Sequence, residues 1–117
     1  MKLQTGGAEE TDAVAADISV GVVSYRTGAI LAECLAALIA APEVREIILV
    51  DNGNPPPAVA LLDRLVAAEP RLVLIRPGRN LGFAAACNRI AARASGRLLV
   101  FANPDLIVPP ATFAGLR

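Results

Sequence analysis

Two short polar segments close apolar runs in a way that could do chemistry. Asp51–Asn52–Gly53 follows Glu46–Val50 (EIILV), and Asn103–Pro104–Asp105 follows Leu98–Ala102 (LLVFA). A carboxylate at Asp51 can accept from the imide or amine edge of a nucleobase, or from ribose hydroxyls. An Asp–Asn–Gly triplet also suits a tight turn for local reasons alone. Asp105 is the single acid after residue 70, where seven arginines surround it in sequence. A hard oxygen ligand at a strand end suits Mg²⁺ or Mn²⁺ held between one carboxylate and a diphosphate. A turn or helix N-cap is the plainer role for the same residue. Between these segments, Asn80–Leu81–Gly82–Phe83 opens a helical pattern, and helix N-termini favour phosphate through their free N–H groups and dipole.

Composition removes other chemistries. With no histidine among 117 residues, no Ser–His triad, Cys–His dyad or histidine metal cluster can form within the chain. Cys34 and Cys87 show no CxxC spacing and read as reduced, buried, small apolar residues. After the first apolar run, where a dinucleotide-binding GxGxxG would stand, the chain reads Ser24–Tyr25–Arg26–Thr27–Gly28, and no Gly–Lys–Ser/Thr P-loop occurs. An aromatic content of 3% argues against a stacking platform for nucleic acid. The formal net charge of zero hides an asymmetry: residues 1–70 carry ten acids and four bases, residues 71–117 seven arginines and Asp105. Either these are solvated helix faces, or the arginines form a cationic mouth for a phosphate-bearing ligand.

The elements that must position these residues follow from periodicity. Ile18–Ser24, Glu46–Val50, Leu72–Ile75 and Leu98–Ala102 are short, apolar and largely β-branched, as buried strands are. Ala29–Ala41, Ala58–Ala68 and Gly82 to about Ala94 carry apolar residues at helical spacing, and Thr112–Leu116 starts another such pattern. Strictly alternating strands and helices predict an α/β fold, a mostly parallel open sheet with helices on both faces. All four strand ends then share one edge, where open α/β sheets bind ligands. Residues 1–17 read as a loose acidic arm without the pattern of a signal peptide, and no apolar stretch is long enough to be a transmembrane segment.

Taken in order, VVSYRTG (Val22–Gly28), EIILVDNG (Glu46–Gly53), RNLGFAAACN (Arg79–Asn88) and GRLLVFANPD (Gly96–Asp105) resemble the donor-binding half of family 2 glycosyltransferases, which have the GT-A fold. The Asn–Pro–Asp form is most similar to their rhamnosyltransferase-like branch. The resemblance implies inverting transfer of a sugar from a dTDP- or UDP-linked nucleoside-diphosphate sugar to a hydroxyl of an acceptor glycan or lipid-linked saccharide. It implies Ser24, Tyr25, Asp51, Asn52, Asn80, Gly82 and Asn103 as nucleotide-sugar-binding residues, with Tyr25 and Asp51 flanking the base. Asp105 would coordinate the divalent cation, Mg²⁺ or Mn²⁺. It further implies a cytoplasmic protein, at the inner face of the membrane in a longer form, that does not act on nucleic acid.

Three positions depart from the family pattern. Arg26 stands where Asn is common, Asn103 replaces the first acid of the Asp-x-Asp motif, and Pro55–Pro57 replace a Ser-rich turn. Residues 18–117 are expected to form the nucleotide-sugar-binding half of a domain truncated at its C-terminal end, with the general base beyond Arg117. A non-catalytic remnant, or another nucleotide-binding α/β domain, is the competing expectation.

Overall fold

The computed structural model describes residues 16–109 and 111–116. All but two residues of the arm expected over residues 1–17 lie outside them. Four strands, β1 (Ile18–Ser24), β2 (Val44–Asp51), β3 (Leu72–Ile75) and β4 (Leu98–Ala102), alternate with three helices, α1 (Ile30–Ile39), α2 (Pro56–Ala68) and α3 (Phe83–Arg93). The strands pair in the order β3-β2-β1-β4, and each pair is parallel. The expected α/β class and strand positions hold; β2 is longer than expected at both ends, and Asp51 is its last residue.

Helices cover both faces. Leu31, Cys34, Leu35 and Leu38 of α1 and Leu62 of α2 pack with Val20, Val22, Ile47 and Leu49 on one face. Ala86 and Ile90 of α3 pack with Ile48 and Val50 on the other. Burial on both faces explains why β1 and β2 are near-continuous apolar runs rather than alternating ones. Where Thr112–Leu116 suggested a further helix, the chain makes a 3₁₀ turn, Ala114–Leu116, and buries Phe113 on the α1 side.

The β1–β2 register slips between Ile18 and Ser19, whose partners are Val44 and Glu46. That bulge breaks the two-residue alternation, so Val44 and Ile47, three apart, enter the same core. Glu46 is sent to the α3 side, where its carboxylate accepts from Ser19 Oγ (2.6 Å), Ser95 N (2.6 Å) and Ser95 Oγ (2.9 Å). Burial pushes the Glu46 carboxyl up, but these hydrogen bonds and the Arg93 charge outweigh it and hold the group below its usual range. The three donors tie the α3–β4 connection to the start of β1 and β2, and so set the height at which β4 lies against β1.

No helix among the described residues is long and apolar enough to cross a membrane. Cys34 is buried and Cys87 half-buried, and both are free thiols.

Candidate functional site

The chain runs β1 to β2 to β3 in one direction across the sheet and then returns to place β4 on the far side of β1. At such a reversal the connections leave adjacent strands in opposite directions, which opens a crevice at their carboxyl ends. A cleft of about 620 Å³ lies there, lined by Gly21, Val23 and Tyr25 along β1 and by Phe101, Ala102 and Asn103 along β4. Gly21 keeps the cleft wall thin: a Cβ there would stand 2.6 Å from Ile90 Cγ2 and 3.0 Å from the Phe101 ring. Two smaller hollows adjoin it. One, of about 480 Å³, shares Tyr25 and includes Arg26 and Gly53. The other, of about 320 Å³, shares Asn52 and Asn80 and includes Asp51, Arg76 and Arg79.

Tyr25 is the exposed aromatic at the end of β1, at 47% exposure, and its ring lies over the Gly53 backbone. Arg26 stacks on that ring, its guanidinium carbon 5.1 Å from the centroid. Arg26 is left-handed, with φ 51°, and its N–H donates to the Gly53 carbonyl at 2.7 Å. Asn tolerates that conformation better than other non-glycine residues do. Arg occupies the turn at a cost in backbone strain, offset by the hydrogen bond and the ring stack.

Asp51 is buried, and its oxygens are engaged. Oδ1 accepts from Gly53 N (3.0 Å) and Asn54 Nδ2 (2.7 Å), while Oδ2 faces Arg76 Nε at 3.5 Å. Asn54 is the residue that sequence reasoning missed. Its Nδ2 also donates to the Ser24 carbonyl (3.4 Å), and its Oδ1 accepts from Ser24 Oγ (3.1 Å) and Thr27 N (2.9 Å). One amide thus locks the ends of β1 and β2 together. Pro56 and Pro57 occupy the first two positions of α2, where an N–H would have no helical partner. The helix therefore has fewer donors for a side chain to cap, and Asn54 turns back toward the sheet. The available signal was a polar residue wedged between Gly53 and three prolines.

The other expected residues divide. Ser24 is buried beneath the edge and bonds to Thr27 Oγ1 (2.8 Å); it braces the β1 turn and lines none of the three hollows. Asn52, also buried, accepts from Leu81 N (3.1 Å) and donates to the Gly82 carbonyl (3.4 Å), which fastens the α3 entry to β2. Asn80 Oδ1 takes the Gly82 N–H (2.8 Å), so that donor is spent within the turn. Gly82 is required by its φ of +80°, and a Cβ there would meet nothing within 4 Å. Asn80, Gly82 and Asn103 do line the main cleft. The expected cationic mouth is narrower than the arginine count implied. Arg76 and Arg79 reach a hollow, whereas Arg71 is spent on the Val44 and Ile39 carbonyls and Glu69.

Asp105 is exposed just past β4. Burial, and after it the Asp105 charge, push the Cys34 thiol above its usual range; that thiol donates to the Asn103 carbonyl at 3.6 Å. The described residues contain no group of three or more carboxylate, cysteine or histidine side chains able to hold a metal. A lone hard oxygen ligand fits a Mg²⁺ or Mn²⁺ ion whose remaining ligands are diphosphate oxygens and water, not an ion caged by protein.

A protein-family model, Glycosyl transferase family 2, matches residues 19–116. The chain belongs to glycosyl transferase family 2. Among solved structures, this family 2 chain superposes on Staphylococcus aureus TarS residues 1–349 in complex with UDP-GlcNAc (TM-score 0.74, 18% identity, 86% of this chain and 30% of that one). It also superposes on the mannosyltransferase PcManGT from Pyrobaculum calidifontis in complex with GDP-Man and Mn²⁺ (TM-score 0.73, 24% identity, 87% and 33%). The family 2 chain thus spans a third or less of the length of these structures. No curated protein sequence matches it.

Proposed function

We propose that this family 2 glycosyltransferase chain binds a dTDP- or UDP-linked nucleoside-diphosphate sugar across its three joined hollows. The observation that carries the reading is the continuity of the site: Tyr25 over Gly53 and the Asp51 carboxylate at one end, Asn103 and Pro104 at the other, with Asn80 and Gly82 between. Asp105 follows Pro104 directly and is exposed, outside the lining of the three hollows. Two structures of similar fold hold ligands of this class, UDP-GlcNAc in one and GDP-Man with Mn²⁺ in the other.

In this reading the Tyr25 ring stacks on the base and Asp51 Oδ2 accepts a base N–H. Asn80 and the start of α3 face the ribose and diphosphate, where N–H groups and the helix dipole oppose negative charge. Asn103, uncharged where the family's motif has an acid, lines the part of the cleft proposed for the sugar. Asp105 would hold a divalent ion, which when bound offsets charge on the departing diphosphate. The acceptor hydroxyl oxygen bonds to the anomeric carbon as the carbon–oxygen bond to phosphate breaks, with inversion. Its proton passes to a general base other than Asp51 and Asp105, which this reading commits to the nucleobase and the ion. The acceptor is a hydroxyl of a glycan or lipid-linked saccharide, and Asn103–Pro104–Asp105 favours the rhamnosyltransferase-like branch.

Titration calorimetry with UDP and dTDP, with and without Mn²⁺, tests the reading. The wild type should bind at least one of them, more tightly with Mn²⁺, and Asp105→Asn should lose the Mn²⁺-dependent gain while retaining metal-free affinity. Absence of binding, or an undiminished Mn²⁺ effect in Asp105→Asn, would overturn it.

A further inference from the structure

Arg76 follows β3 and reaches back across the end of the sheet. Its Nη1 donates to Asp63 Oδ1 at 2.6 Å, its Nη2 to the Val59 carbonyl at 3.3 Å, and its Nε faces Asp51 Oδ2 at 3.5 Å. Val59 and Asp63 lie one turn apart on α2. A guanidinium is planar and its donors form a rigid fork. With two nitrogens pinned to α2, the direction of the third is settled.

We infer that Arg76, held by Asp63, is a positioning residue for base recognition: it orients the Asp51 carboxylate so that one acceptor direction of Oδ2 is presented to a base N–H. The inference deepens the proposed donor site and rests on the reading of Asp51 given there. A carboxylate has about four acceptor directions. Gly53 N and Asn54 Nδ2 take those of Oδ1, and Arg76 takes one of Oδ2. What is left lies on the oxygen nearest Arg76, toward the hollow that both side chains line. Without the guanidinium, Oδ2 would lose the charge partner that opposes its desolvation, and the carboxylate could rotate about its anchored oxygen. Asp63 is more than half exposed and lines none of the three hollows. Its influence on a bound base can therefore run only through Arg76.

The probe is a pair of ligands, UDP and 3-methyluridine 5′-diphosphate, whose methyl group removes the N3–H donor. Calorimetry on the full 117-residue chain should show the wild type preferring UDP by about tenfold, as for a hydrogen bond to a charged acceptor. Arg76→Gln should lose most of that ratio. Asp63→Asn, on an exposed helix position and safe for folding, should narrow it to about threefold. A merely structural role would weaken both ligands equally and leave the ratio intact. Preservation of the wild-type ratio in both variants would overturn the inference alone. A full ratio in Asp63→Asn beside a lost one in Arg76→Gln would overturn the role of α2. A wild type that does not distinguish the two ligands would overturn the reading of Asp51, and this inference with it.

Discussion

Asn54 Nδ2 lies 2.7 Å from Asp51 Oδ1 at the end of β2, and the same side chain bonds to Ser24 and Thr27, which binds the end of β1 to it. Asn54→Ala would release four side-chain hydrogen bonds, to Asp51, Thr27 N and two atoms of Ser24. It should cost about 2–3 kcal/mol, because Thr27 N and Asp51 Oδ1 each lose a partner in a part-buried site. Denaturant unfolding measures the loss, and UDP affinity should fall with it. Asn54→Asp should cost more than its shape suggests, since it sets a second carboxylate against Asp51.

Arg26 is the only non-glycine residue with positive φ among the described residues. Relieving the strain should gain about 1 kcal/mol, and losing the Tyr25 stack should cost about half of that. Arg26→Asn should therefore raise stability by about 0.5 kcal/mol, a rise in melting temperature of about 2–4 °C. Arg26→Val, β-branched and poorly suited to this conformation, should lower it by about 1–2 kcal/mol. A thermal melt of the two variants gives the comparison directly.

Glu46 makes part of the stability acid-sensitive. Its folded carboxyl lies below the ordinary value of 4.5, held there by Ser19, Ser95 and Arg93 against the opposing effect of burial. A depressed carboxyl contributes stability that is fully present above the unfolded value and is lost as pH falls through the folded one. Glu46→Gln should be less stable than wild type at neutral pH by about 1–3 kcal/mol. The gap should shrink as pH drops from about 5 to about 3. Urea titrations across that range would show a constant gap if Glu46 were not the group responsible.

Gly21 allows α3 to lie directly on β1. Adding one methyl group puts a Cβ 2.6 Å from Ile90 Cγ2, so Gly21→Ala should force α3 outward at a cost of about 1–3 kcal/mol. Trimming the partner with Ile90→Ala removes Cγ2, the atom in the crowded contact. The double variant should then be more stable than the sum of the two single losses predicts, which a double-mutant cycle reads.

Much of this molecule was legible in the chain. Runs of apolar residues between turn signals located β1, β3 and β4 at their observed bounds. The same alternation of strands and helices placed Tyr25, Asp51, Asn80 and Asn103 at one edge of a parallel sheet. The residue types at strand ends carried the family resemblance that the match over residues 19–116 bears out.

Tertiary structure decided what each of those residues does. Ser24 has the polarity of a ligand contact, yet the turn folds it beneath Thr27 and Asn54, where it serves as a brace. Asn54 offered little in sequence, because its partners at Ser24 and Thr27 are 30 and 27 residues away and meet it only once β1 and β2 pair. Arg76 looked like one arginine among seven until α2 and the end of β2 closed around it. Local propensity and burial are written residue by residue and can be read in order. A hydrogen-bond network belongs to whichever chain segments the sheet brings side by side, and the order β3-β2-β1-β4 emerges only when they pack.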